Sequence, residues 1–279
     1  MLSAVPVAHQ HRSFMPSVIA PPSNAPTLLE SVLRCERIAA VVLLVMLPVF
    51  SWMWMVAMAL DMYGPMTGAS AWMMTMHWDV PHLLLLWAMW AVMMTGMMLP
   101  SASPVVVLYG AAVRRSAQRT AGRQIYALAA GYLAAWTGFS LGATALQRAL
   151  GSLLFISPMM EAVNSELSAT LLLVAGGYQW TPLKHACLRQ CRSPLAFLMG
   201  RWRSGWSGAF RMGLEHGTYC VGCCWALMLL LFVGGVMNLL AIAGLTAFVA
   251  FEKLAPLGRH GARISGAFMM VAGLWMLVR

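Results

Sequence analysis

The sequence predicts an all-α protein: a polytopic transmembrane helix bundle of about seven spans, with its N-terminus inside and its C-terminus outside. Three observations carry that expectation. Hydrophobic residues make up 61% of the 279-residue chain and charged residues only 9%, far from the roughly 25% charged residues of soluble domains. Apolar runs of about the 20 residues needed to cross a bilayer recur along the chain. The basic residues then cluster on alternate connections between those runs, as the positive-inside rule requires.

The first 30 residues are rich in Pro, Ser and Ala and carry no apolar core followed by a cleavage site, so no secretory signal is expected. Residues 1–37 read as a disordered cytoplasmic tail, in which His9 and His11 are solvated bystanders. Residues 38–279 form the membrane domain. Its expected spans are Ile38–Leu60, Val80–Leu99, Gln124–Gln147, Leu167–Lys184, Met212–Val233, Val236–Glu252 and Ile264–Val278. Pro100 and Pro104 should break or kink the second span where it runs on toward Tyr109. The third carries Gly138 and Gly142 at GxxxG spacing, with Ala134 one turn earlier, which predicts close helix contact there. A tight Gly234-Gly235 turn separates the fifth and sixth. Of the 18 basic residues only Arg148 and Arg279 fall on the outer side of this map. The net charge of +10 therefore follows from topology and does not call for nucleic acid. The expected partners are the lipid bilayer and a periplasmic or cytosolic metal carrier.

The chemistry concentrates in the fifth span, His216-Gly-Thr-Tyr-Cys220-Val-Gly-Cys223-Cys224. Spacings of i, i+4 and i+7/i+8 project these groups from one helix face. A second thiol pair, Cys187 and Cys191, stands at i, i+4 just beyond the inner end of the fourth span. If the two helices pack together, Cys187, Cys191, His216 and Cys220 share one soft-ligand site with Cys223 and Cys224 deeper. Inert packing and a thiol–disulfide couple remain alternatives. Nearby Lys184, Arg189 and Arg192 should lower the thiol pKa. Glu215, beside His216, is a candidate to orient it or to neutralise a bound cation. Tyr178, Gln179, Pro182 and Lys184 could shape the same cavity, Asn238 could bond across helices, and Glu252-Lys253 reads as an interfacial ion pair.

Methionine is the second anomaly, with 25 residues. Met89, Met93 and Met97 form one i, i+4, i+8 stripe in the second span, and Met94 and Met98 another. Thioethers are neutral soft ligands that suit Cu(I), so Met93 and Met97 join the candidate metal ligands, although such stripes also serve as core filler. The outer loop of Asp61–Met66 and Trp72–Asp79 contains Met and His but no Lys or Arg. It could capture or release copper, or simply anchor at the interface through Trp72 and Trp78. There is no glycine-rich phosphate loop, HExxH motif or Ser/His/Asp arrangement, so a binding protein is favoured over an enzyme.

Several stretches together resemble one family. They are Met93–Pro100 followed by Pro104, Gly177–Lys184 with Cys187 and Cys191-Arg192, Gly213–Met228, Met237-Asn238 and Glu252-Lys253. The chain from about Ile38 onward is similar to the predicted metal-binding integral membrane proteins of bacteria, a family built on a domain of unknown function. The resemblance implies a multi-pass protein of the bacterial inner membrane with a metal site. The overall expectation is a membrane metal-binding protein that handles, moves or delivers Cu(I), with Zn(II) as the other candidate ion. A transmembrane thiol–disulfide electron carrier is the alternative.

Overall fold

A computed structural model describes residues 28–64, 66, 69–75, 78–116, 120–157, 160–254 and 258–278. The expected tail up to residue 27 and the loop residues Met76 and His77 lie outside the described residues. Among those described, the chain is helical, with a single isolated β-bridge between Ile156 and Ala162. The helices are α1 (Leu28–Met62), α2 (Ala69–Met73), α3 (Val80–Arg115), α4 (Ala121–Ser152), α5 (Ser165–Tyr178), α6 (Pro182–Arg192), α7 (Pro194–Arg201), α8 (Gly205–Met228), α9 (Leu231–Gly234), α10 (Leu239–Leu254) and α11 (Gly258–Val278).

Among the described residues, four segments are long and apolar enough to cross a membrane: Leu44–Met62, Val80–Arg115, Gly205–Gly234 and Gly261–Val278. They coincide with the first, second, fifth and seventh expected spans. The third expected span falls in α4, which is long at 32 residues. The fourth and sixth fall in α5 and α10, which have only 14 and 16 residues, or about 21 and 24 Å of helix.

The expected fourth span does not run straight to Lys184. Thr181 caps a new helix by accepting the Lys184 N–H on its hydroxyl, and Pro182 sits in the first turn, where its missing N–H costs nothing. The chain therefore turns at Gln179–Thr181, and α6 is a separate amphipathic helix lying against α8. Conversely, Pro100 and Pro104 do not break α3, which is helical from Val80 to Arg115. The Ser103 hydroxyl donates to the Pro100 carbonyl at 2.7 Å, replacing the N–H that Pro104 lacks.

Gly138 and Gly142 are not a packing face either. A Cβ at either one would meet nothing within 4 Å. The close crossing in α4 lies two to three turns earlier, at Gly131. A Cβ there would fall 2.0 Å from the Phe210 carbonyl oxygen, and one on Gly213 would fall 1.9 Å from that of Leu128. Gly131 and Gly213 thus bring α4 and α8 to backbone contact. The Gly234-Gly235 turn is present, with Gly235 at φ 89°. Asn238 does not reach across helices; its Oδ1 accepts the Leu240 and Ala241 N–H groups and caps α10.

One contiguous core holds Met55, Met89, Met93, Met94, Met97, Met98 and Met228 together with Cys187, Cys220, Cys223 and Cys224. The methionine stripe and the thiols thus belong to one buried body, not to two faces of the protein.

Candidate metal centre

The glycine crossing of α4 and α8 fixes the α8 face that carries His216, Cys220, Cys223 and Cys224, all of which are buried. From the other side α6 brings Cys191, whose sulfur lies 4.0 Å from that of Cys223. Two thiolates on one ion at bonds near 2.3 Å stand about 4.0 Å apart at a trigonal angle and about 3.8 Å at a tetrahedral one. Cys191 also interacts with the Cys220 thiol, making a cluster of Cys191, Cys220, Cys223 and Cys224. Cys187 packs on the bare backbone of Gly222, where an added Cβ would approach its sulfur to 2.8 Å. The Tyr178 hydroxyl donates to the Gly222 carbonyl and ties α5 to the same turn of α8.

The two thiol pairs, placed on different helices, are thus brought together. The basic rim does not lower Cys187 as expected. Burial pushes its thiol up, and the neighbouring Cys223 adds to the shift. Lys184, one of the expected rim charges, is fully buried and pairs with Glu252 at 2.8 Å.

His216 lies between the rings of Phe197 and Tyr132, at centroid distances of 4.9 and 5.9 Å. Its buried Nδ1 has no hydrogen-bond partner among the described residues. Tyr132 links the histidine to the thiols, because its hydroxyl is 3.1 Å from the Cys220 sulfur and donates to the Met98 carbonyl at 2.9 Å. Met93 and Met97 are buried in the same core, at 0% and 2% exposure. Glu215 turns away. Arg203 and Arg201 hold its carboxylate at 2.7 and 3.3 Å on the partly exposed rim, so it faces guanidiniums and not sulfur.

Lys253 is a site residue that sequence reasoning misses. Glu252 and Lys253 are not partners. Adjacent residues on a helix diverge by about 100°, so Glu252 goes to Lys184 while Lys253 enters the core. The Lys253 ammonium donates to the Cys220 sulfur at 2.9 Å and to the Ser101 hydroxyl at 2.8 Å. A buried cation requires a paired charge, and a Cys220 thiolate supplies one. The clue in the sequence is a Glu-Lys pair at the end of an apolar helix in a chain with a thiol-rich span, but the sequence contains no side-chain direction.

Among the described residues, no three His, Cys, Asp or Glu side chains converge tightly enough to hold an ion as they stand. The reason is visible in the rotamers. The Cys223 and Cys224 thiols both donate to the Cys220 carbonyl, at 3.1 and 3.0 Å, and the Lys253 ammonium stands on the Cys220 sulfur. The donor set nevertheless suits a soft cation: four clustered thiols, one unpartnered imidazole nitrogen and thioethers.

A family model described as copper chaperone, PpoB2, matches residues 87–276. The chain belongs to that family. The matched segment contains His216, Tyr132, Lys253 and every thiol of the cluster, and it begins after the first turns of α3. No curated protein and no solved structure matches the chain.

Proposed function

We propose that this family member holds Cu(I) on the α6–α8 thiol cluster and passes it to an acceptor. Cys191, Cys220 and Cys223 are the principal ligands. Cys224, Cys187 and the His216 imidazole lie within the same buried region as further donors. The single observation that carries the reading is the meeting of Cys191 with Cys223 at 4.0 Å beside a buried ammonium. With two of the three principal ligands as thiolates and the third a neutral thiol, the Cu(I) site carries a net charge of −1, which Lys253 cancels, so the loaded site is neutral in a low-dielectric core. N–H donation onto a ligating sulfur also fits the outer-shell pattern of metal sites.

Cys223 and Cys224 are released from the Cys220 carbonyl by rotation about χ1, which requires no backbone change. Met93 and Met97 of α3 offer neutral thioether positions along which a bound ion can exchange. Seven spans with an inner N-terminus would put the thiols in the cytoplasmic half of a bacterial inner membrane, facing a cytosolic donor or acceptor. The distribution of Lys and Arg supports that orientation.

The second reading is a thiol–disulfide carrier, favoured by the same 4.0 Å separation, since closing it to about 2.05 Å makes a bridge. Metal analysis of protein purified anaerobically under reducing conditions separates the two readings. After Cu(I) exposure wild type should carry a thiolate-bound copper, and a Cys220→Ser/Cys223→Ser variant should bind one equivalent less. Equal loading of both proteins overturns the thiol site. No loading of either, with a reversible Cys191–Cys223 bridge, favours the carrier.

A further inference from the structure

At the other end of α3 a second group of soft donors surrounds His82. This residue is fully buried, in the first turn of the helix, where its N–H is capped by Asp79 at 3.2 Å. Its Nε2 lies 3.3 Å from the Met73 carbonyl. A carbonyl only accepts, so Nε2 carries the proton, and in the neutral ring the lone pair is left on Nδ1. That Nδ1 has no hydrogen-bond partner among the described residues. Histidine ligands have this arrangement: one nitrogen anchored on a backbone carbonyl, the other free for a metal. The ring packs against Trp78 and Trp72, at centroid distances of 5.5 and 6.3 Å, which keeps water away.

Beside it lies a cavity of about 20 Å³ lined by Met73, Met74, Met160, Trp78 and Leu86, among others. His82 is not itself among the lining residues, but two of its contacts, Met73 and Trp78, are, and so is Leu86, one turn further along α3. The space holds a single atom of water or ion size. Met160 is delivered there by a costly backbone. It has φ 61°, a conformation rarely adopted by residues other than glycine, yet its side chain is only 2% exposed. Such strain persists only where the surroundings over-determine it.

We propose that His82 Nδ1 and the thioethers of Met73, Met74 and Met160 form a second, thiol-free Cu(I) site. Three of these four donors, His82, Met73 and Met74, lie outside the segment that matches the copper chaperone family. Neutral imidazole and thioether donors suit a soft monovalent ion and bring no anionic charge into the core. From His82 to Met98, whose carbonyl accepts from Tyr132 beside Cys220, α3 advances sixteen residues, about 24 Å. Met89, Met93 and Met97 are buried between the two ends, spaced at about 6 Å. The site is therefore one terminus of a thioether-lined lane whose other terminus is the thiol cluster. This role in transfer rests on the function proposed above, but binding at His82 does not.

The test uses full-length protein in detergent, titrated anaerobically with Cu(I) and in parallel with Ag(I) as a redox-inert probe. Wild type should bind two ions per chain. A Cys191→Ser/Cys220→Ser/Cys223→Ser protein should keep one, with an X-ray absorption edge and shells of nitrogen and thioether type and no thiolate contribution. Adding His82→Gln to that background should remove it. Met160→Leu, which keeps the volume and deletes the sulfur, should weaken it at least tenfold while leaving the elution profile in gel filtration unchanged. If the thiol-free protein binds nothing, or if His82→Gln and Met160→Leu both leave its binding intact, the second site is refuted and the thiol reading stands. If His82→Gln abolishes all binding in the wild-type background, the thiol reading fails and the His82 site survives.

Discussion

Lys253 offers the sharpest test of how the thiol centre works. Its ammonium makes two hydrogen bonds, one to the Cys220 sulfur at 2.9 Å and one to the Ser101 hydroxyl at 2.8 Å. Replacing it with methionine keeps the length of the side chain and removes the charge. Fold stability should change little, because Cys220 takes up a proton once the ammonium is gone and no buried charge is left unpaired. Copper affinity should fall. A hydrogen bond to a charged group contributes about 1.5–3 kcal/mol net, and each 1.4 kcal/mol is tenfold, so the loss should be roughly ten- to a hundred-fold. Anaerobic competition with a chromogenic Cu(I) chelator reads the affinity, and thermal unfolding in the same detergent reads the stability. The opposite result refutes the argument: if Lys253→Met binds Cu(I) as tightly as wild type or more tightly, the ammonium repels the ion and does not balance its thiolates.

Four other outcomes are expected. Glu252→Gln should destabilise the protein by about 3–5 kcal/mol, since it strands the Lys184 ammonium, whose side chain is 0% exposed; denaturant titration should show the deficit repaired in Lys184→Met/Glu252→Leu. Gly131→Ala should lower the midpoint of thermal unfolding by an amount equivalent to at least 1–3 kcal/mol of overpacking, because its methyl would meet the Phe210 carbonyl at 2.0 Å. Gly138→Ala and Gly142→Ala, with open space around both positions, should be neutral or stabilising by up to about 1 kcal/mol. Finally, mild oxidation of the metal-free protein should bridge Cys191 to Cys223, which peptide mass mapping detects, and prior loading with Cu(I) should protect both thiols from alkylation.

Much of the fold and of the thiol centre is legible in the chain, and the illegible part has a common cause. Periodicity puts His216, Cys220 and Cys223 or Cys224 on one face, because helical spacing alone decides that. The approach of Cys191 to Cys223 is expected from two thiol pairs at similar depth, although Cys191 sits on the separate amphipathic helix α6 and not at the end of an apolar span. Direction around a helix relative to its neighbours cannot be read in this way. Gly138 and Gly142 have the right spacing for a close crossing, yet nothing in the spacing says which face of α4 meets α8, and Gly131 holds that position instead. Glu252 and Lys253 look like partners for the same reason. Pro100 and Pro104 carry a strong local signal for a break, which the Ser103 hydroxyl offsets. The turn at Gln179–Thr181 is written in Thr181-Pro182, a cap followed by a first-turn proline, but the apolar run before it conceals the stop.

The backbone contact between α4 and α8 also sets which half of the centre can move. With Gly131 seated against Phe210 and Gly213 against Leu128, neither helix can slide or rotate past the other without a clash of main chains. Tyr132 immediately follows Gly131, so the same contact pins its hydroxyl on the Cys220 sulfur. The α8 side of the cluster therefore behaves as a fixed anvil. The Cys191 side sits on an 11-residue helix that follows a turn and can hinge at Thr181–Pro182. In the function proposed above, handover of an ion would open on the α6 side, where an acceptor would meet it.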